Sequence, residues 1–337
     1  MNILITTGIY PPKIGGPAQY AKNLNEVLGG LGHRVTIKTF TIENYLPTGL
    51  RHLWFFVKII PSVLGSDLVL SLDTFSVGFP SVCATKIFGK KIIIRTGGDF
   101  LWEGYVERTG DKVLLSDFYK TKQGSFSLKE RIIFKITRWT LNNCNILVFS
   151  TKWQRDIFKD PYSIDLNKTA IVENYYGEKK AVSEELPDKK VFVAGTRPLV
   201  WKNISILKNI FEREDVKNSG IILDTENAKY EDFLKKIASA YAVILVSLGD
   251  ISPNMILDAI RLNKPFIVTR ENGLIDRVGD LCILVNPEDE NDIKDKIMWL
   301  LNEDNYRNQI EKIKNFSFTH SWHQIANEYV DKYNSIK

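Results

Sequence analysis

Arg197 and Lys202 stand five apart in VFVAGTRPLVWKN, where an apolar run that reads as a strand gives way to NISILKNIF, the start of an amphipathic helix. Ligands of open α/β sheets bind at the carboxyl ends of strands, so both cations would face such a crevice. A guanidinium offers a planar fork of donors and an ammonium a compact point charge, a combination suited to the oxygens of a diphosphate. Taken alone, the pair also reads as two solvated surface charges.

A second constellation lies in SLGDISPNMILDAIRLNKPFIV, where Asp250 and Asp258 have seven residues between them. Asp250 is expected to end a strand. Asp258 falls two turns along a helix opened by Ser252 at the cap and Pro253 at the first helical position. That helix start would present the N–H groups of Asn254 and its neighbours to a ligand. Asp258 is flanked by Ile256, Leu257, Ala259 and Ile260, an apolar setting unusual for a merely solvated acid. Carboxylates accept from hydroxyl pairs, so one could hold a ribose and the other a sugar ring; a solvated helix face is the alternative. The following VTRENGLID, with Asn272 and Asp276, is by itself a turn signal.

The first strand ends in TTGIYPPKIGGPAQYAKNL. Gly15 and Gly16 allow close backbone approach as a helix begins, and its free N–H groups would favour an anion. No G-x-G-x-x-G follows, so this is no dinucleotide fingerprint, and a purely structural turn stays open. In KIIIRTGGDFLWE, Gly97, Gly98, Asp99 and Glu103 follow the fourth strand. These carboxylates are placed to bind a polyol or shuttle a proton, or Asp99 caps the helix that starts at Phe100.

The elements that must hold these residues form two series. Short apolar runs alternate with helical patterns, which argues for doubly wound parallel sheets built from βαβ units. NILITT, RVTIKTF, DLVLS, KIIIR, NILVFS and TAIVEN make the first series; KVFVAG, GIILD, AVILVS, PFIVT and CILVN make the second. A helix from about Gly16 to Gly32 joins the first two strands, and helical patterns fill the chain from Glu290 to about Lys332. The polar stretch from Gly177 to Lys190 reads as a linker.

With 337 residues, 44% of them hydrophobic and 25% charged, the chain has the composition of a globular protein of two ordinary domains. Three scattered cysteines (Cys83, Cys144, Cys282) fit a reducing compartment and no disulfide framework. Of the histidines only His320 and His323 approach a metal-ligand spacing, and no metal is expected. Met1 runs straight into a strand, so no leader peptide is expected, and the apolar run from Leu53 to Leu64 is too short to span a bilayer. The net charge of +5 permits attraction to anionic lipid or nucleic acid without demonstrating either. Basic residues are interspersed with acids throughout, which speaks against nucleic acid. FSLKERIIFKITRWTL carries Lys129, Arg131, Lys135, Arg138 and Trp139 at helical spacing; a membrane-surface helix and an ordinary helix with a solvated basic face both stay open.

Together these segments resemble the family 4 glycosyltransferases, retaining enzymes of the two-domain GT-B fold. The resemblance rests on the strand–proline–Gly15-Gly16–helix opening, the NILVFSTKWQRDIF unit, the turn at Val172 to Asn174, the Arg197–Lys202 pair, the Asp250–Asp258 spacing and the closing FTHSWHQIANEYVDKY. It implies two Rossmann-like domains facing a cleft: an acceptor-side domain over 1–178, a nucleotide-sugar domain over 189–318, and a helix over 319–337 that returns to the first. It implies that Arg197 and Lys202 bind the donor diphosphate, that Asp250 holds the transferred sugar and Asp258 the ribose, and that Gly15, Gly16, Ser252, Pro253 and Asn254 lie along the donor. Gly97, Gly98, Asp99 and Glu103 would serve the acceptor side.

The implied activity is metal-independent, cofactor-free transfer of a hexose-type sugar, with retention, to a glycan or lipid-linked acceptor, as in polysaccharide biosynthesis. The implied location is cytoplasmic, with peripheral contact at the membrane face as an option. Departures are visible. Both acids are Asp where the family usually has Glu, Ile251-Ser252-Pro253 replaces Gly-Phe-Gly, and a histidine common after the fourth strand is absent. A helix–strand unit is missing between Asp224 and Tyr230, near where the base would bind. These leave a non-catalytic nucleotide-sugar-binding or activating protein as the main rival, with an epimerase on the same architecture behind it.

Overall fold

Each apolar run named above forms a strand in a computed structural model of the chain, which describes residues 1–13, 15–180 and 187–336. Part of the linker stretch, residues 181–186, lies outside the described residues. The chain divides into two compact units, Met1–Leu101 with Gly124–Tyr175 and His320–Lys337, and Trp102–Gln123 with Tyr176–Thr319.

The first unit runs β1 (Asn2–Thr7), α1 (Gly16–Gly30), β2 (Arg34–Thr39), α2 (Thr48–Leu64), β3 (Leu68–Ser71), α3 (Gly78–Ile87) and β4 (Lys91–Arg95). The chain then passes through α4 (Phe100–Thr109) and α5 (Leu115–Thr121), which belong to the second unit from Trp102 onward. It resumes with α6 (Leu128–Asn142), β5 (Ile146–Phe149), α7 (Lys152–Tyr162) and β6 (Thr169–Ile171). All strands are parallel in the order β2-β1-β3-β4-β5-β6. The order reverses between β1 and β3, where Ile3 lies beside Leu68 and Thr6 beside Ser71.

The second unit runs β7 (Val191–Val193), α8 (Ile204–Glu212), α9 (Glu214–Lys217), β8 (Ile222–Asp224), α10 (Tyr230–Ser239), β9 (Ala242–Leu245), α11 (Asn254–Arg261) and β10 (Phe266–Thr269). It ends with α12 (Ile275–Val278), β11 (Ile283–Val285), α13 (Glu290–Leu300) and α14 (Glu303–Asn315). Its parallel order is β11-β10-β9-β7-β8, with the reversal between β7 and β9. Between Asp224 and Tyr230, α10 follows β8 with no strand in between. Two apolar layers hold this sheet, one built on Phe192, Leu207, Ile244 and Ile297, the other on Val193, Val243, Ile256 and Phe266. Alternate residues of β7 and β9 thus bury on opposite faces, as a sheet covered on both sides requires.

The last helix, α15 (Trp322–Ser335), starts with a capping box between Ser321 and Gln324. It buries Ile325, Ala326 and Tyr329 in the first unit's core beside Tyr20, Ala21, Leu24 and Leu28 of α1, and Tyr329 shares a 3.1 Å hydrogen bond with Tyr20. His320, just before it, bonds the Asn174 carbonyl at 3.1 Å and the Glu328 carboxylate at 3.0 Å. Burial alone would lower the imidazole's pKa, but Glu328, the Asn174 carbonyl and Glu173 outweigh it and the net shift is upward. The stability this contributes is present below about pH 6.5 and is lost as pH rises through the raised value. A His320→Gln variant is therefore expected to lose more stability near pH 6 than near pH 9, read from urea unfolding; an equal loss at both would place the effect in packing alone.

Candidate functional site

The second sheet reverses where the sequence put its strongest constellation. Arg197 follows β7 and Asp250 follows β9, the two strands flanking the reversal, where ligands of such sheets bind. Gly195 lets neighbouring groups approach the chain closely there: a Cβ on it would sit 2.7 Å from both the Glu226 carbonyl oxygen and the Phe233 ring. Arg197 comes next but one. Its side chain is exposed and makes no ion pair or hydrogen bond with another described residue.

Lys202 ends a single 3-10 turn, Val200–Lys202, ahead of α8. Its ammonium lies 4.2 Å from the centroid of the Trp201 ring and 2.5 Å from Asp250 Oδ2. The two side chains are only 12% and 13% exposed, so this ion pair is largely shielded from water. Asp250 Oδ2 also accepts from the Ser247 hydroxyl at 3.1 Å. The Asp250 backbone is fixed by a bridge to Asn272, its amide donating to the Glu271 carbonyl and its carbonyl accepting from Gly273. Asp250 was expected to end a strand. It instead sits five residues beyond β9, in this bridge: the strand stops at Leu245, and the buried Val246, Ser247 and Leu248 lie between.

The helix carrying Asp258 begins one residue later than expected, with Pro253 as the cap and Asn254 first. Ser252 therefore lies one residue ahead of the cap, and Pro253 offers the amides at the helix start no side-chain acceptor. Asp258 is 7% exposed, accepts from the Tyr230 hydroxyl at 3.0 Å, and has Arg261 Nη1 at 4.0 Å. Burial pushes its carboxyl up to about 6, against the pull of the Tyr230 bond and of Arg261 and Lys180. Tyr230 was not singled out in the sequence. It is the first residue of α10, twenty-eight positions away, and no local pattern marks it.

Residues from Trp102 to Gln123, read from sequence as part of the first domain, supply the other missed partners. The Leu115 amide donates to the Leu248 carbonyl at 3.0 Å, and the Ser116 amide to Glu271 Oε2 at 3.2 Å. Glu107 Oε1 accepts from the Val200 amide at 2.7 Å, and Trp102 packs 5.5 Å from Trp201. Gly249, adjacent to Asp250, makes this approach feasible: a Cβ there would fall 2.5 Å from Leu115 Cβ and 3.2 Å from the Trp102 ring. A Gly249→Ala variant is expected to lose about 1–3 kcal/mol from overpacking and to displace Asp250. Unchanged urea unfolding would show that the α5 segment yields freely.

In the first unit, Gly15 caps α1 and Gly16 begins it, after β1 at the sheet's own reversal. Asp73, unremarked in the sequence, follows β3 there. Its carboxylate accepts from the amides of Phe75, Val77 and Gly78, and burial raises its pKa against those bonds. Gly97, Gly98 and Asp99 follow β4. Asp99 is 3% exposed and its Oδ1 accepts from the Leu101 amide at 3.1 Å, the capping arrangement. Glu103 lies in the first turn of α4, in the part of that helix that belongs to the second unit. No cluster of acids, histidines and cysteines able to hold a metal occurs among the described residues.

No protein-family model and no curated protein matches the sequence. Solved structures do match the fold. A glycosyltransferase from Rickettsia africae aligns over 99% of this chain and 98% of its own, with TM-score 0.64 and 13% identity. Sucrose-phosphate synthase from Thermosynechococcus elongatus aligns over 99% and 98%, with TM-score 0.69 and 12% identity. The Anabaena protein HepE, in complex with UDP and glucose, aligns over 99% of both chains, with TM-score 0.65 and 12% identity. The fold of this chain is GT-B: two parallel-sheet α/β units of the kind found in these proteins.

Proposed function

We propose that this chain is a glycosyltransferase that moves a hexose-type sugar from a nucleoside diphosphate donor to a glycan or lipid-linked acceptor, with retention at the anomeric carbon and without a metal. The observation that carries the reading is a shielded Lys202–Asp250 pair at the reversal of the second sheet, with Arg197 five residues before Lys202 and making no ion pair among the described residues. HepE, of the same fold, is crystallised with UDP and glucose, which supports a nucleotide sugar as donor.

In the proposed reaction the bond from the anomeric carbon to the diphosphate oxygen breaks and the acceptor hydroxyl bonds the same face of that carbon. A phosphate oxygen takes the hydroxyl's proton. Negative charge grows on the departing diphosphate, and Arg197 and Lys202 are the groups that would meet it. An ammonium has three donors, so Lys202 can keep Asp250 and still reach phosphate. Asp250 Oδ1 has no partner among the described residues and is left to accept from a hydroxyl of the transferred sugar. Asp258 would hold the ribose hydroxyls, with Tyr230 already on one oxygen. Gly15, Gly16, Ser252, Pro253 and Asn254 would line the donor, and Gly97, Gly98, Asp99 and Glu103 the acceptor, with Asp99 acting through the helix start it caps.

A non-catalytic nucleotide-sugar binder is favoured by one observation, the shortened second sheet. Release of free nucleoside diphosphate with the acceptor present separates the two: turnover supports the transferase, and tight donor binding with no release supports the binder.

A further inference from the structure

Three consecutive crossovers cover one face of the first unit's sheet, with α2 packed on α3 and α3 on α6. Phe79 of α3 meets the Trp139 ring of α6 edge-on at 5.7 Å, and the Lys86 ammonium lies 5.7 Å from the same ring. The sequence pointed to α6 alone. The structure adds α2, which is apolar on both sides. It buries His52, Phe55, Ile59 and Val63 inward, yet Leu53, Trp54 and Val57 are 60%, 49% and 53% exposed, flanked by exposed Leu50 and Leu64. Ile42 and Tyr45, just ahead of it, are exposed as well.

The charges of α2 do not interrupt that outer stripe. Lys58 turns back to Glu43 Oε1 at 2.8 Å, and Arg51 Nε donates to the Glu43 carbonyl at 2.8 Å. A helix with two apolar sides is ordinarily covered on both. Beside it, α6 exposes Leu128, Ile132 and Trp139 among Lys129, Arg131, Lys135 and Arg138. Its one acid, Glu130, is buried in the capping box with Ser127. Neither α2 nor α3 contains an acid, so the three helices present exposed cations and no exposed carboxylate. Lys86, Lys129, Arg131, Lys135 and Arg138 have no ion-pair partner among the described residues. Acids return on α7, at Asp156 and Asp160, and bound the patch.

An apolar stripe bordered by unpaired cations matches the boundary of an anionic bilayer, where apolar side chains enter and lysines meet headgroups. A second copy fits less well, since a twofold contact would set like charges against each other. No described helix is long and apolar enough to cross a membrane, so the helix would lie in the surface. We infer that the α2–α3–α6 face docks on an anionic lipid surface, with Leu53, Trp54 and Val57 entering it and Lys129, Lys135 and Arg138 on the headgroups.

The test uses the full chain and two vesicles, phosphatidylcholine alone and phosphatidylcholine with phosphatidylglycerol. Co-sedimentation is expected with the second, weakening as salt is raised. Lys129→Gln and Lys135→Gln are each expected to weaken it roughly fivefold. Trp54→Asp, and separately Leu53→Ser with Val57→Ser, are expected to weaken it about tenfold or more with unchanged circular dichroism. Absence of binding, equal binding to both vesicles, or indifference to both apolar variants would overturn the inference. So would a wild-type dimer in sedimentation velocity that Trp54→Asp dissolves. Vesicle binding is read without any transfer reaction, so its failure would leave the donor-site reading standing.

Discussion

Arg197→Ala and Lys202→Ala are each expected to lower turnover by roughly 10²–10³, equivalent to about 2–4 kcal/mol of barrier, while the folded structure persists. Arg197 is exposed and makes no side-chain bond with another described residue, so its removal leaves no buried group unsatisfied. Lys202 differs, because it holds Asp250 at 2.5 Å in a site that excludes most water. Its loss strands a carboxylate where diphosphate should sit, so Lys202→Ala is expected to weaken donor binding more than Arg197→Ala does. Lys202→Arg keeps the charge but replaces a compact ammonium with a broad plane, and should recover only part of the rate. Steady-state kinetics with a nucleotide sugar measures all three, and wild-type turnover in either alanine variant would remove the diphosphate assignment.

Asp258→Asn is expected to make the protein more stable at about pH 8 by roughly 1–3 kcal/mol while impairing donor binding. Burial raises this carboxyl to about 6, so the folded state holds its proton more tightly than the unfolded chain does. The stability tied to that proton is complete below about pH 3.8 and is lost as pH rises through about 6, leaving an ionised, desolvated group at neutral pH. Asparagine keeps an acceptor for the Tyr230 hydroxyl and removes the charge. The gain should therefore vanish below about pH 4, where wild-type Asp258 is neutral as well. Urea unfolding at the two pH values decides it, and a variant less stable at both would mean that Arg261 and Lys180 more than offset the burial. If ribose hydroxyls bind the ionised form, donor affinity in the wild type should also fall as pH drops below about 6.

What was legible in the sequence is what local pattern encodes. The eleven strands among the described residues follow from apolar runs; those buried along their whole length, such as β9 and β10, are apolar because both of their faces are covered. The Arg197–Lys202 pair and the acid spacing were legible because each lies within one strand-to-helix passage, where spacing along the chain sets position in space. Tyr230 was not, since its contact with Asp258 spans two helices and an intervening strand. The placement of Trp102–Gln123 was hidden for the same reason. Nothing in WEGYVERTG says that Trp102 and Leu115 will lie against a glycine more than a hundred residues on. Asp250 shows a finer failure: it reads as the end of the strand that AVILVS opens, but the ladder stops at Leu245 and the acid is positioned by a bridge to Asn272.

The central claim is that a nucleoside diphosphate is gripped by Arg197 and Lys202, and thermal unfolding with a panel of nucleoside diphosphates and their sugars tests it most directly. At about a hundred times its dissociation constant a true ligand adds about 2.7 kcal/mol to the folded state, a shift of several degrees. The expected result is stabilisation of the wild type by at least one member of the panel and its loss in both Arg197→Ala and Lys202→Ala. Stabilisation of the same size in all three proteins would contradict the account.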